Sequence, residues 1–473
     1  MPATLDAVIV GSGPNGLTAA AVLARAGWTV SVVEAAGEIG GGCRTAALTL
    51  PGFVHDVCAA VHATAQLSPA FRELDLAQHG VEWVNEPLAL AHPLSDDEAA
   101  LLFNSLDETA RRFGDDGPAW RTVMEPLLEE RLLDSLLRPQ WQGLVDAPLL
   151  KTRFGLAALR SAAGYARAKF RSARVRALFA GCAAHSARPL SACGTASFGL
   201  VLALAAQRVG WPIARGGSAR IVEALASIVR AHGGTIETGR RVKLLRELPA
   251  SRVVLFDVNP AQVAAIAAGE LPPSYAGRLR RFRHGPGVCK VDWALNAPIP
   301  WRDPACARAG TVHVGGTLEE IARSEHAVAQ GRVSEAPFVL AAQPSVWDPT
   351  RAPAGGHTAW AYCHVPNGCA VDMTTRIEAQ IERFAPGFRD VILARHTMTA
   401  PALEAHNAAM VGGDIGGGAN DLRNFLFRPA LRWNPYATPN SRLFICSSST
   451  PPGGGVHGMC GYLAAQAVLR RHD

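Results

Sequence analysis

Residues Asp6 to Glu34 constrain this chain more than any other stretch: a short apolar strand, a glycine turn, an alanine-rich helix and a second apolar strand ending on a carboxylate. Val8, Ile9 and Val10 form the leading strand, Leu17 to Ala26 the helix, Gly27 its stop, and Val30 to Val33 the partner strand. The turn, Gly11-Ser12-Gly13-Pro14-Asn15-Gly16, has the GxGxxG pattern, whose glycines permit a tight bend, approach of the backbone to a pyrophosphate and close packing of helix on strand. Exposed amides at the helix start, with the helix dipole behind them, favour an anion there. Glu34 is then expected to hold a ribose hydroxyl. Such a unit cradles the adenosine half of a dinucleotide.

Two further glycine segments bear on how long that ligand is. Gly40-Gly41-Gly42-Cys43-Arg44-Thr45 follows at once, where NAD enzymes usually continue into another helix. Gly41 and Gly42 let a long ligand lie along the backbone, and Arg44 offers a forked cation to a diphosphate. The plainer reading is a glycine loop with a solvated arginine. Near the C-terminus, strand Leu443 to Cys446 leads through Ser447-Ser448-Ser449-Thr450-Pro451-Pro452 into Gly453-Gly454-Gly455-Val456-His457-Gly458 and a helix up to Arg470, a second anion-seeking helix start.

Together the three segments resemble the FAD-binding signature of the phytoene dehydrogenase and amine oxidase superfamily of flavoproteins. The stretch from Thr450 to Met459 is similar to the ending of the phytoene dehydrogenase-like branch that includes pyridine nucleotide-disulphide oxidoreductase domain-containing protein 2. Pro51 to Asp56, Arg215 to Ser218, His284 to Gly287 and Val411 to Asp414 match the same branch, so the similarity spans nearly the whole chain. It implies an α/β fold in which a Rossmann-type FAD-binding domain (1–70, 206–289 and 406–473) is interleaved with an α+β substrate domain (71–205 and 290–405). It also implies FAD contacts from Gly11, Ser12, Gly13, Pro14, Asn15, Gly16, Glu34, Gly41, Gly42, Arg44, Thr450, Gly454 and Gly455. Val242 falls where the family's backbone meets adenine, and Val456 and His457 at the helix start that faces the flavin pyrimidine edge. Against carotenoid desaturases proper the chain departs: three serines replace a glycine-alanine run, and Pro451 replaces a common histidine. That departure weighs against a carotenoid substrate.

With 473 residues, 48% hydrophobic and 18% charged, the chain can bury the cores of two interleaved domains. A net charge of +6 without a dense basic tract argues against nucleic acid. The first strand follows Met1 closely and no uninterrupted apolar run reaches membrane-spanning length, so a soluble cytoplasmic protein is expected. The ten cysteines include no CxxC pair and no zinc spacing, which predicts buried thiols, no metal and no disulphide chemistry at the flavin. Cys43 and Cys460 carry no motif for a covalent flavin bond, so a noncovalent flavin is expected.

Residues 71–205 are rich in Ala, Leu and Arg at helical spacing and read as a helical part of the substrate domain. Residues 290–405 alternate apolar strands with Pro/Gly loops and read as a sheet over the flavin ring. Arg153, Arg160, Arg167, Arg171 and Arg174 fall on one face of an expected basic helix over 153–176. Such a face is a solvated surface, a contact in a homo-oligomer, or a peripheral resting place on anionic lipid.

Hydride transfer at a flavin asks for an apolar slot and few titrating groups. Lys290, on a predicted strand, stands where superfamily amine oxidases carry a lysine reaching flavin N5 through water; otherwise it is a strand lysine with its head in solvent. His55, with Asp56, and His62 form a second candidate set, because superfamily members return this segment along the flavin ring; a satisfied loop histidine is the alternative. Asp414 reads as a turn residue. The function expected is FAD-dependent hydride transfer with a largely apolar, lipid-like or isoprenoid molecule, with oxygen or a quinone as electron acceptor and no requirement for NAD(P)H. A flavin amine oxidase, or a non-catalytic FAD-binding regulatory protein, are the alternatives; five tyrosines in the chain offer no assignable aromatic cage.

Overall fold

The computed structural model describes residues 4–94, 98–138 and 148–472. Residues 1–3, 95–97, 139–147 and 473 of the expected domain segments lie outside the described residues. Two sheets are built from strands β1 (Leu5–Val10), β2 (Val30–Val33), β3 (Leu88–His92), β4 (Ala100–Phe103), β5 (Thr235–Glu237), β6 (Ser251–Phe256), β7 (Gly287–Leu295), β8 (Thr311–Val314), β9 (Val339–Ala342), β10 (His357–Val365), β11 (Ile392–Met398) and β12 (Leu443–Ile445). The helices that matter to the site are α1 (Pro14–Arg25), α2 (Pro148–Ala158), α3 (Ala162–Lys169), α4 (Ala173–Ala184), α5 (Ala196–Val209), α6 (Ala219–Ala231), α7 (Leu318–Ala329) and α8 (Met459–His472).

The first sheet has the order β12-β6-β1-β2-β5 and is parallel throughout. All of β2 and the last four residues of β1 are buried, the near-continuous apolar run expected of a sheet covered on both faces. Helix α1 packs between α6 and α8 on one of those faces. Its alanines allow a close approach, and a Cβ on Gly461 of α8 would stand 1.8 Å from the Asn15 carbonyl oxygen. Parallel strands put their C-terminal ends on one edge, so Gly11, Glu34, Asp257 and Cys446 emerge together there, where ligands of such sheets bind.

The second sheet runs β11-β7-β10-β9-β8-β3-β4, antiparallel except where β8 meets β3. Along β7, Cys289, Val291, Trp293 and Leu295 face a core shared with β9 and β10. Val288 and Lys290 stand on the opposite face, which lines the cavity described below.

Two expectations are corrected. The stretch 71–205 is not wholly helical, because β3 and β4 lie inside it. Leu88-Ala-Leu-Ala-His92 has helix-forming residues, but it is five residues long between two prolines, and pairing with β8 and β4 buries all of it. The single basic helix over 153–176 is three helices, α2, α3 and part of α4. Ser161 caps α3 through the Gly164 N–H, and Phe170 is extended (φ −121°, ψ 145°). The Asp116 carboxylate then takes the N–H groups of Arg171 and Ser172 at 2.8 and 2.7 Å. Arg153 donates to the Thr122 carbonyl, Arg167 pairs with Glu319, and Arg174 donates to the Arg112 carbonyl, so these three arginines are tied to separate parts of the chain. Among the described residues no helix is long and apolar enough to cross a membrane. All ten cysteines are free thiols.

Candidate active site

The C-terminal edge of the first sheet opens into a cavity of about 880 Å³ that continues to the second sheet and to the helices. At its polar end Ser12 donates from its N–H and Oγ to Glu34 Oε2 at 2.8 and 2.7 Å, while the Ala36 N–H donates to Oε1 at 2.8 Å. These bonds hold the Glu34 carboxylate against the glycine turn. A Cβ on Gly16 would lie 2.3 Å from the Gly11 carbonyl oxygen, so the turn closes at this tightness only with glycine. The second glycine segment docks on the first, with the Gly40 N–H donating to the Ser12 carbonyl at 3.0 Å. Gly41, at φ +56°, would bring a Cβ to 3.0 Å from Gly13 Cα. The Arg44 guanidinium is buried, donates to the Ile39 and Glu38 carbonyls, and lies 3.9 Å from Glu34.

The C-terminal segment meets these two from α8. Gly454, Gly455, Val456 and His457 line the same cavity, as do Gly11, Ser12, Gly13, Pro14, Asn15, Glu34, Gly41, Gly42, Arg44 and Val242. Two expected cofactor residues stand off the wall. Gly16 turns its N–H to the Asp257 carboxylate at 2.8 Å, and Thr450 Oγ1 donates to the Ser447 carbonyl at 2.8 Å. His457 accepts the Met459 N–H on Nδ1 at 3.1 Å, its carbonyl accepts from Ser68 Oγ, and burial pushes its ring down to about 4. A neutral ring at this helix start leaves the backbone as the polar partner.

The candidate catalytic side chains separate. Lys290, 3% exposed, donates from Nζ to the Asp56 carbonyl at 3.0 Å and to Asp292 Oδ1, and it lines the cavity. Its head is therefore not in solvent. His55 stands off the wall: Nε2 meets Thr49 Oγ1 at 2.8 Å, Nδ1 is 3.7 Å from Asp292, and burial pushes the ring down to about 3, with Lys290 adding to the shift. His62 is on the wall, edge-on to Trp83, and burial holds it near 4; neither ring nitrogen has a partner among the described residues. Asp56 accepts from Thr45, Ser218 and Arg351, a structural junction. Asp414 gathers the N–H groups of Gly285, Gly416 and Gly418, as a turn residue does.

Several wall residues escape a reading of the sequence. Trp360, Tyr362 and His364 alternate along β10 and so share one face, a spacing visible in the sequence. The Trp360 and Tyr362 rings are parallel within 4° with centroids 6.0 Å apart. A group between two faces needs about 7 Å, so these rings stack on each other and do not form a clamp. His364 Nδ1 lies 3.0 Å from both oxygens of buried Glu325 on α7, which leaves Nε2 as the free side of the ring. His185 Nε2 is 3.1 Å from His313 Nε2, and burial lowers both rings. No local pattern marks these pairs.

The apolar end is walled by Leu137, Phe154, Phe198, Val201 and Leu202. A dinucleotide fits the polar end: the glycine contacts leave a backbone-lined cradle, and Asn15 Oδ1 and both His62 nitrogens are buried on the wall without a partner among the described residues. Buried polar atoms are otherwise paired.

Comparison with known proteins agrees with this geometry. The NAD(P)-binding Rossmann-like domain family matches residues 9–74. Pyridine nucleotide-disulfide oxidoreductase domain-containing protein 2 of Rattus norvegicus is 27% identical, with 98% of this chain and 93% of the rat protein covered. Phytoene dehydrogenase of Streptomyces griseus is 26% identical over 82% of this chain and 77% of its own length. Cyclohexylamine oxidase from Brevibacterium oxydans has the same fold, with a TM-score of 0.59 at 16% identity, covering 99% of this chain and 100% of that one. The homologues and structural neighbours are thus oxidoreductases, and a dinucleotide cofactor is supported.

Proposed function

We propose that this chain, a full-length homologue of pyridine nucleotide-disulfide oxidoreductase domain-containing protein 2 within the phytoene dehydrogenase and amine oxidase superfamily, binds FAD and transfers hydride to or from a largely apolar, lipid-like or isoprenoid substrate. The observation that carries the reading is the continuity of one cavity from the glycine cradle, past Lys290, to the walls of Leu137, Phe154, Phe198 and Leu202. When bound, FAD supplies the two-electron chemistry that no side chain offers.

The chain's own residues position and exclude. Glu34 would accept from a ribose hydroxyl, with Arg44 turned to Glu34 and Glu38 and bracing that carboxylate; the turn amides would hold the diphosphate, and the Gly454 to His457 backbone would meet the ring end. Lys290, kept in place by Asp56 and Asp292, supplies positive charge to the sheet wall. His364, oriented by Glu325, offers Nε2 to take or return a proton. The apolar helices keep water out and select for hydrocarbon. An amine substrate would be better served by a ring clamp than by the stacked Trp360–Tyr362 pair. Oxygen or a quinone accepts the electrons.

The test is anaerobic bleaching of the reconstituted flavoprotein by a panel of isoprenoids, acyl chains and amines. Bleaching by an apolar compound supports the reading. Bleaching by amines alone makes the protein an amine oxidase, and bound flavin with no turnover leaves a regulatory flavoprotein. A folded protein that takes up no FAD removes the proposal.

A further inference from the structure

Asp257 follows β6 directly, and its side chain reaches the mouth of the glycine turn. Its Oδ2 accepts the Gly16 N–H at 2.8 Å, and a Cβ on Gly13 would lie 2.6 Å from the same oxygen. Its N–H donates to the Val10 carbonyl at 2.8 Å, so the residue is fixed between two parallel strands. The side chain lines the cavity at the amides expected to receive a cofactor diphosphate.

The charges around it make an anion uncomfortable there. Glu34, at the end of β2, is the neighbouring carboxylate, and its field raises Asp257 further. Arg44 is the cation of the second glycine segment, but it is turned to Glu34 at 3.9 Å and Glu38 at 3.5 Å. From β12 and α8 come the thiols of Cys446 and Cys460, each pushed up by burial with Asp257 contributing, so both stay protonated near neutral pH. Burial is the largest influence on Asp257 itself and pushes its carboxyl up to about 7, against the Gly16 and Gly13 amides.

We propose that Asp257 couples cofactor binding to a proton: the diphosphate-bearing dinucleotide binds with this side chain as a neutral carboxylic acid, and a carboxylate at that position takes up one proton from solvent as the cofactor enters. The new O–H bond forms at Oδ1, because Oδ2 is engaged by Gly16, and the acid then donates to an anionic oxygen that the carboxylate would repel. The inference rests on the FAD reading above. Below the titration of Asp257 the affinity is independent of pH; above it, affinity falls about tenfold per pH unit, the slope of one linked proton.

The experiment titrates FAD into the cofactor-free full chain between pH 6 and 9, following quenching of flavin fluorescence. Calorimetry in two buffers of different ionisation enthalpy counts protons. The wild-type protein should bind flat near pH 6, weaken about tenfold per pH unit above 7, and take up close to one proton per FAD at pH 8. Asp257→Asn, which keeps the shape without the charge, should bind with no such slope and tighter than wild type at pH 8.5. Proton counting on the wild type needs no variant, so a misfolded Asp257→Asn leaves the test intact. FAD binding with a flat pH profile and no proton uptake overturns the role of Asp257 while leaving the FAD reading standing. A parallel slope in Asp257→Asn overturns it too. No FAD binding at any pH by folded protein overturns both.

Discussion

Lys290 and Asp292 sit two residues apart on β7, both buried, joined by an ion pair at the cavity wall. Burial pushes the Asp292 carboxyl up to about 6, with Lys290 pulling the other way. Removing one member of a buried pair strands the other, at about 3 kcal/mol or more. Lys290→Met should therefore lower the unfolding free energy read from denaturant titration by an amount of that order, and adding Asp292→Asn should recover much of the loss. A purely additive double variant would mean the two side chains do not act as a pair. Such pairs divide what a sequence can tell from what it cannot. Glu34 and Arg44 meet their protein partners, Ser12 and Glu38, within the same local unit, so a sequence reading can bring these four residues together. Asp257 is not, since its contact with Gly16 spans 241 positions and exists only because β6 lies beside β1. His364 and Glu325, 39 positions apart, meet only once α7 packs on the second sheet.

At the scale of elements, the contact of α1 with α8 joins the first glycine segment to the last. Gly461 makes that approach possible, and Ala at this position would place Cβ on the Asn15 carbonyl, at the base of the cradle. Overpacking of this kind costs about 1–3 kcal/mol, so Gly461→Ala should lower the melting temperature and weaken FAD binding together. Gly155 in α2 is the control: among the described residues nothing lies within 4 Å of its Cβ position. Gly155→Ala should stabilise by about 0.5–1 kcal/mol through helix propensity and leave FAD affinity unchanged. Thermal melts and FAD titration of the two variants separate crowding from propensity; equal effects would contradict the packing argument. Period and glycine placement make β1, α1 and β2 readable, because local pattern and tertiary role agree there. They mislead at β3, whose Leu-Ala repeat favours a helix until pairing decides otherwise, and over 153–176, where the Asp116 carboxylate draws the backbone out of the helix.

For the whole molecule, a set of buried histidines is held neutral by burial. His62, His92 and His457 are pushed down to about 4, His185 to about 3, and His313 well below its ordinary value, chiefly by desolvation. An unfolded histidine binds its proton near 6.5, so between that pH and about 4 the unfolded chain holds protons the folded chain refuses. The stability these rings allow is complete above about pH 6.5 and is lost as pH falls toward their depressed values. Asp257 and Asp292 carry the opposite sign: raised to about 7 and about 6, they favour folding at low pH and lose that contribution as pH rises through those values. With His55, pushed down to about 3, six rings outweigh two carboxyls over the acid range, so the melting temperature of the cofactor-free protein should climb from pH 5 to about 6.5 and then level or fall slightly. His313→Phe should flatten that climb. The ring lies among Trp211 and Phe338 and shares its only side-chain hydrogen bond among the described residues with His185, so an apolar ring suits the site. Differential scanning of both proteins across this range checks the argument. A wild-type melting temperature that is level or falling between pH 5 and 6.5 would mean that these rings are protonated, and hence solvated, in the folded chain, and the dry packing around them would have to be redrawn.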